Sequence, residues 1–208
     1  MPLPFADKIV LDMPCSPLPG QSWLGATAYA YDWSPYRARI GFSNGWNLSN
    51  EREVFSGYKT MRLFQPHFAA LPYDGRWDFS GNRFTVEAFV NVRQNWSDHL
   101  YGSLIMKRPN GGDWDWGLWH NGSISKWHFT WGDSGYARRD IAVAAPYVLD
   151  TFHHACAMGN GTHVNVFLDG VPAGAAVAIS GNIRNRTATG IEVGKSLGYV
   201  DAYLNAHV

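Results

Sequence analysis

The clearest pattern along the chain is an alternation of apolar and polar residues with a period of two. Between residues 84 and 92 every second residue is apolar, which is typical of a strand with one face in a core and the other face wet. The core face carries Phe84, Val86, Ala88, Val90 and Val92, and the other face carries Thr85, Glu87, Phe89 and Asn91.

Two tight turns divide further strand-like segments. Asn121-Gly122 and Asp169-Gly170 are dipeptides that accept the positive φ angles of a type I′ turn, so each predicts a β-hairpin. A two-residue loop at Asn121-Gly122 pairs His120 with Ser123 and fixes the register. That register predicts three more cross-strand neighbours: Trp116 with Trp127, Trp119 with Ile124, and Asp115 with His128.

Short strands separated by Gly, Pro, Asn and Asp recur through the rest of the chain, and helical periodicity is hard to find. This spacing predicts an all-β fold, an antiparallel two-sheet β-sandwich. Glu51-Arg52-Glu53 is interpreted as a solvated loop. The remaining predicted strands are Ile9–Leu11, Ala28–Tyr31, Met61–Phe64, Phe152–Met158, Val164–Leu168 and Gly190–Gly194.

Composition narrows the class of protein. The 208 residues suit one all-β domain, 1–208, and the 15% aromatic content with 22 glycines suits pleated surfaces joined by tight turns. The formal net charge of zero offers no basic field for nucleic acid. The sequence predicts no membrane insertion and no signal peptide, so we expect synthesis in a host cytoplasm. Cys156 lies in an apolar run, which favours a buried, reduced thiol over a bridge to Cys15.

A search for catalytic carboxylates favours a protein that is not an enzyme. Only four glutamates occur, at 51, 53, 87 and 192, and no Glu-x-Asp-x-Glu pattern typical of a retaining glucanase is present. Asp115 opposite His128 is a conceivable acid–base pair. A cross-strand charge pair is the interpretation that we favour.

The tryptophans offer the strongest binding signal, because five of the ten lie between Trp114 and Trp131. They form either a glycan-stacking surface or the core between two sheets, and the shared face of Trp114, Trp116, Trp127 and Phe129 favours the core. The opposite face then continues onto Thr85–Asn91 if those strands are neighbours. With the Gly-rich loop 131–139, this face gives the candidate ligand-binding residues Asp115, Trp119, Lys126, His128, Trp131, Asp133, Tyr136 and Arg138.

An ordered set of segments resembles laminin-G-like (concanavalin A-like) jelly-roll domains. Trp77–Val90 is similar to the family's central strand and its lead-in, Phe152–Ala155 to its Trp-His-His-Val strand, and Val164–Gly170 to its Leu-Thr-Leu-Tyr-Val-Asn-Gly hairpin. The resemblance covers roughly residues 7–208. This version, with Trp-Asp-Phe-x-x-Gly-x-Phe-Thr-x-Glu, looks most like copies in bacteriophage virion proteins, where the domain implies a tail or capsid-decoration role.

The resemblance also bears on metal binding, since many domains of this family carry a loop-bound Ca²⁺. Asp98, Asp113, Asp133 and Asp201 are loop candidates, but no EF-hand-like spacing supports any of them. His153 and His154 are adjacent on a strand, so they point to opposite faces and cannot share one ion, and one of them is expected to be a satisfied, buried histidine. We assign no cofactor and no metal ligand.

The sequence departs from the family at its end. Family members finish with a strand like Gly-x-Ile-Asp-Glu-Val-Arg-Ile that pairs with the N-terminal strand, whereas Tyr203–Val208 reaches only its start. The final strand is short, the chain is a fragment, or a neighbouring subunit completes the sheet. We expect a homo-oligomer with pairing on the edge strand Ile9–Leu11.

These observations predict a non-enzymatic structural protein of the virion surface, either a capsid decoration protein or a tail-associated adhesin. Its expected partners are other virion subunits or itself, with a cell-surface glycan as a further ligand. A free carbohydrate-binding module or lectin is the alternative, and a glycoside hydrolase is the least favoured of the three.

Overall fold

A computed structural model describes residues 29–31, 39–42, 48–53, 59–63, 68–92, 101–107, 115–121, 124, 126–135, 137–144, 148, 150–187, 189–195 and 206–207. Residues 29–31, 39–42, 48–53, 59–63, 80, 101 and 206–207 are described by their backbone alone. No helix within these ranges is long and apolar enough to cross a membrane.

The described part of the chain folds almost entirely into short strands. In chain order they are β1 (Tyr29–Tyr31), β2 (Arg39–Phe42), β3 (Leu48–Glu53), β4 (Lys59–Leu63), β5 (Ala69–Leu71), β6 (Arg83–Val92), β7 (Tyr101–Lys107), β8 (Trp116–Asn121), β9 (Lys126–Gly132), β10 (Arg138–Ala144), β11 (Phe152–Asn160), β12 (His163–Leu168), β13 (Val171–Pro172), β14 (Val177–Ala178), β15 (Ile191–Val193) and β16 (Ala206–His207). Two 3₁₀ turns, Gly75–Trp77 and Ser80–Asn82, lead into β6.

The strands form two antiparallel sheets. Sheet I has the order β1-β2-β5-β15-β7-β8-β9-β10, and sheet II has the order β13-β12-β11-β6-β16-β4-β3 with β14 paired to β12. The late strand β15 lies between β5 and β7, and β16 lies between β6 and β4. The predicted all-β, two-sheet sandwich is therefore confirmed.

Aromatic rings join the two sheets across the interior. Phe84 of sheet II stacks on Phe129 of sheet I with 5.1 Å between centroids, and Phe79 stacks on both Phe84 and Trp116. Because large aromatic side chains remove much apolar area from water, this stack is a main source of cohesion between the sheets. Trp116, Trp127 and Phe129 are buried in the core as predicted, and Trp114 lies outside the described residues.

The two predicted hairpins had different outcomes. Asp169 (φ 52°) and Gly170 (φ 78°) form the expected two-residue turn between β12 and β13. The two-residue loop predicted at Asn121-Gly122 is wrong, because Asn121 ends β8 and pairs with Lys126 at the start of β9. The loop therefore has four residues, 122–125.

The longer loop changes which residues face each other across the hairpin. Trp116 pairs with Trp131 rather than Trp127, and Trp119 pairs with His128 rather than Ile124. The two registers differ by an even number of positions, so the predicted faces survive although the predicted partners do not.

Further corrections and confirmations concern single segments. The charged stretch at 51–53 belongs to strand β3 and is not a loop. The predicted loop 131–139 is shorter than expected, since β9 runs to Gly132 and β10 begins at Arg138. Cys156 is a buried, free thiol as predicted. Cys15 and the predicted strand Ile9–Leu11 lie outside the described residues.

Candidate functional site

The outer face of sheet I is the face on which most of the candidate binding residues were predicted. Strand pairing places Met106 beside Glu192 and Gly117, and Thr130 beside Gly117 and Asp140. Side chains of paired neighbours point to the same side of a sheet, so these residues form one row across β15, β7, β8, β9 and β10. Gly117 leaves space for the Met106 side chain, since a Cβ at Gly117 would lie 2.9 Å from Met106 Cε.

A hydrogen-bonded network occupies the β8–β10 part of this face. Trp119 Nε1 donates to Thr130 Oγ1 at 2.9 Å, and that hydroxyl donates to Asp140 Oδ1 at 2.8 Å. The second oxygen of Asp140 lies 2.9 Å from His128 Nδ1. Because an ionised carboxylate only accepts hydrogen bonds, His128 Nδ1 is the donor in this contact. We name Trp119, His128, Thr130 and Asp140 the indole–imidazole network.

Three members of the network, Trp119, His128 and Thr130, are buried and only Asp140 is exposed, which differs from the exposed binding surface that was expected. The side chain of His128 is buried with Trp119, and its Nε2 has no hydrogen-bond partner in the structure. Lys126, on the same face, is half-buried. The prediction of the face is therefore confirmed for Trp119, Lys126 and His128, while their ligand-binding role stays a prediction.

Two other candidates lie where a ligand cannot reach them. Trp131, predicted in an exposed loop, is a fully buried core residue of β9. Asp115, predicted opposite His128, is also fully buried and belongs to a separate ionic cluster. The prediction for Trp131 failed because β9 runs to Gly132, and the prediction for Asp115 failed because the hairpin register was wrong. Asp140 of β10 is the carboxylate that pairs with His128.

The ionic cluster around Asp115 lies at one end of the sandwich. Lys107 Nζ forms an ion pair with Asp78 and lies 3.7 Å from Asp115 Oδ2, while the Nε atoms of Arg184 and Arg186 each lie 3.5 Å from Asp115 Oδ1. Burial raises the pKa of Asp115 despite the opposing effects of the Arg186 N–H and the three cations. The charges of this cluster are paired with one another inside the protein, which indicates a structural role.

Asp133 organises the loop between β9 and β10. Its Oδ1 accepts hydrogen bonds from the backbone N–H groups of Gly135 and Ala137, and its Oδ2 pairs with Arg139 at 3.1 Å. The bond from Ala137 is the main reason that the pKa of Asp133 is lowered. Arg138, also a candidate, is exposed at the start of β10, and Tyr136 lies outside the described residues.

The structure also bears on metal binding. Within the described ranges no group of three or more His, Cys, Asp or Glu side chains could hold an ion. Both oxygens of Asp133 are already used, and Asp98, Asp113 and Asp201 lie outside those ranges. As expected, His153 and His154 point to opposite faces. His153 is buried, and its ring nitrogens contact Val148 N and Asp169 Oδ2.

The outer face of sheet I was expected to continue onto the polar face of the strand Thr85–Asn91, and this expectation is wrong. Strand β6 belongs to sheet II, so Thr85, Glu87 and Phe89 lie on the outer face of the opposite sheet. There Phe89 pairs with His154 of β11, and the two rings stack with 4.7 Å between centroids. The molecule therefore has two separate polar–aromatic faces.

Asp140 and Lys107 are two of the residues of these sites that were missed from the sequence. The segment around Asp140 carries only a weak strand signal, the β-branched residues Ile141 and Val143 two positions apart, and no polar–apolar alternation reaches back to Asp140. Lys107 ends β7, which was not among the predicted strands, and its burial depends on distant carboxylates.

Comparison with known proteins identifies the fold. A family model described as the concanavalin A-like lectin/glucanases superfamily matches residues 68–208. No curated protein matches the chain.

Several solved structures share this architecture at low sequence identity. The binding domain of Paraclostridial Mosquitocidal Protein 1 aligns with a TM-score of 0.66 and 15% identity over 88% of this chain and 46% of its own. The Botulinum Neurotoxin serotype G binding domain aligns with a TM-score of 0.62 and 13% identity over 88% of this chain and 46% of its own. A Trypanosoma rangeli sialidase aligns with a TM-score of 0.54 and 16% identity over 89% of this chain and 28% of its own. The chain thus spans about half of the toxin domains.

Proposed function

The chain belongs, over residues 68–208, to the concanavalin A-like lectin/glucanases superfamily, and from that premise we propose that it is a recognition protein that binds a glycan and does not hydrolyse it. The toxin structures that share its fold are named as binding domains, which supports recognition. A shared fold does not determine function, so the case for binding over hydrolysis depends on the carboxylates of this chain.

The separation of two carboxylates carries the proposal. Glu192 and Asp140 lie in the same row on the outer face of sheet I, with β7, β8 and β9 between their strands. Four strand spacings of about 4.8 Å place their Cα atoms about 19 Å apart. Glycosidases hold their two carboxyl groups about 5–9.5 Å apart, so this pair cannot flank one glycosidic bond.

We further propose that the protein is displayed on a virion surface as a capsid decoration or tail-associated protein. The support is the resemblance of its Trp77–Val90 segment to copies of the domain in bacteriophage proteins. Other virion subunits or a second copy of the chain are its proposed protein partners, and a cell-surface glycan is its proposed ligand.

Two measurements on the wild-type protein test binding against hydrolysis. On a glycan array we expect selective, saturable binding, and incubation with the bound glycans should release no reducing sugar. Release of reducing sugar would overturn the non-enzymatic assignment. Failure to bind any glycan would overturn the recognition function.

The virion location is tested independently by mass spectrometry of purified particles. A virion protein is expected in many copies at a fixed ratio to the major capsid or tail subunit. If glycan binding is observed and the protein is missing from particles, the chain is a free carbohydrate-binding module.

A further inference from the structure

The outer face of sheet II presents an exposed aromatic surface. Pairing of β6 with β11 and of β11 with β12 brings a mixed set of apolar and polar side chains to this face. We name it the Phe89 surface, and it consists of Thr85, Glu87, Phe89, His154, Met158, Asn165 and Phe167.

Exposure distinguishes this surface from the indole–imidazole network. Phe89 and Met158 are 41% and 42% exposed, whereas Trp119 is 4% exposed. Phe89 and Met158 are two of the exposed large hydrophobic residues of the described chain, and they lie on neighbouring strands. Phe89 pairs with His154 and Met158 pairs with Thr85, so the two apolar side chains lie four residues apart along the sheet, with Glu87 between them.

Polar contacts hold the aromatic ring in place. His154 stacks on Phe89, its Nε2 lies 3.0 Å from Glu87 Oε2, and its backbone N–H donates to Asp169 Oδ1 at 2.8 Å. The Glu87 side chain is 57% exposed, and a carboxylate accepts more than one hydrogen bond. Glu87 Oε1 is thus an acceptor beside an apolar ring, which is the combination that recognises the C–H face and hydroxyls of a sugar.

The charges at this surface select among glycans. Glu87 contacts the imidazole of His154, and Asp169 accepts a hydrogen bond from the backbone N–H of the same residue, so two carboxylates lie near His154. An acidic sugar placed on Phe89 would be repelled by these carboxylates, whereas a neutral sugar would not. The same two carboxylates disfavour an acidic protein partner.

We infer that the Phe89 surface is a subsite for a neutral hexose of the glycan, with Phe89 as the stacking residue and Glu87 and His154 as its hydrogen-bonding partners. This inference rests on the proposed glycan-binding function. It assigns recognition to the outer face of sheet II rather than to the tryptophan-rich sheet I.

The experiment compares variants on an array of matched oligosaccharides, printed with a neutral galactose, glucose or mannose terminus and with the same terminus capped by sialic acid. The wild type should bind neutral members and lose binding to their capped forms. Phe89→Ala should weaken neutral binding at least about tenfold, and Glu87→Gln by a smaller factor. Ile124→Ser, which changes another exposed apolar residue outside this surface, is the matched control and should bind as the wild type does.

The outcomes separate the site from the function. Wild-type binding that is unaffected by Phe89→Ala would overturn the site and leave the recognition function standing. Preference for sialylated members would overturn the neutral specificity, and a wild type that binds no glycan would overturn site and function together. If circular dichroism shows that Phe89→Ala does not fold, Phe89→Leu is used instead. It keeps an apolar side chain of similar size without the aromatic ring and should show the same loss of binding to neutral glycans.

Discussion

The imidazole of His128 lies flat against the indole of Trp119, with 4.1 Å between ring centroids and 15° between ring planes. Both rings are tied to Asp140, His128 directly and Trp119 through the Thr130 hydroxyl. One carboxylate on β10 therefore fixes two aromatic rings on β8 and β9. Buried polar chains of this kind are stabilising only while every link is present.

Removing the middle link should destabilise the fold. Thr130→Val keeps the shape of the side chain but deletes the acceptor of the indole N–H and the donor to Asp140. We expect a loss of about 1–3 kcal/mol in the free energy of unfolding, measured by urea denaturation. Thr130→Ser retains the hydroxyl and should lose much less. Equal losses for the two variants would show that the methyl group, and not the hydroxyl, matters.

Breaking the buried ionic cluster should have a larger effect. Lys107 is fully buried against Asp78 and Asp115, so Lys107→Met leaves one carboxylate without its cation. We expect a loss of about 3–5 kcal/mol in chemical denaturation. Adding Asp78→Asn to Lys107→Met should recover part of that loss, because it removes the unpaired charge. A double variant no more stable than Lys107→Met would contradict the proposed charge pairing.

The Asp169 turn should make stability depend on pH. Burial raises the pKa of Asp169, but hydrogen bonds from His153 and the His154 N–H together with their charges lower it overall. A lowered pKa contributes stability that is complete above the unfolded Asp pKa of about 4 and is lost as the pH falls through the folded value. In thermal melts from pH 6 to pH 2, Asp169→Asn should show a weaker decline than the wild type.

A second variant separates charge from backbone conformation at this turn. Asp169 has a φ of 52°, which Asn tolerates and Ala does not. Asp169→Ala should therefore be less stable than Asp169→Asn by about 1–2 kcal/mol at neutral pH. Equal stability of the two variants would show that the turn relaxes to another conformation.

The close approach of Gly190 to β5 should make that position intolerant of a side chain. A Cβ at Gly190 would lie 2.0 Å from the backbone oxygen of Leu71, and backbone atoms cannot move aside cheaply. Gly190→Ala should lower the free energy of unfolding by about 3 kcal/mol or more, or prevent folding. Gly75→Ala is the control, because its nearest neighbour, Tyr73 Oη, is 3.7 Å away. Wild-type stability of Gly190→Ala would contradict the packing of β15 on β5.

Periodicity in the sequence was enough to predict the faces of the strands. The alternation in β6 up to Val90 and the Asp169-Gly170 turn are local properties of the chain, so they appear in the structure as predicted. Asn91, predicted on the wet face, is fully buried instead. The Asn121-Gly122 signal failed because four residues, and not two, connect β8 to β9. Turn propensity is a preference of a few residues, and pairing of the six-residue β8 with the seven-residue β9 outweighs it.

Depth of burial was not predictable from alternation. The pattern places Trp119 and His128 on the face away from the core, but whether that face is covered depends on contacts that are distant in sequence. The partner of His128 was not predicted for the same reason. Asp140, which contacts His128, lies on β10, and β10 was not among the predicted strands. Phe89, by contrast, was predicted on a wet face and is exposed.

The position of β15 has a consequence for how the protein is made. Ile191–Val193 is the strand that joins β5 to β7, so the two halves of sheet I, β1-β2-β5 and β7-β8-β9-β10, stay unlinked until this segment has left the ribosome. During synthesis the nascent chain therefore carries two open strand edges, which are sites for aberrant pairing with other chains. Sheet I is therefore completed late in synthesis. The yield of native protein should depend on how well chaperones shield the unpaired edges of β5 and β7 until then.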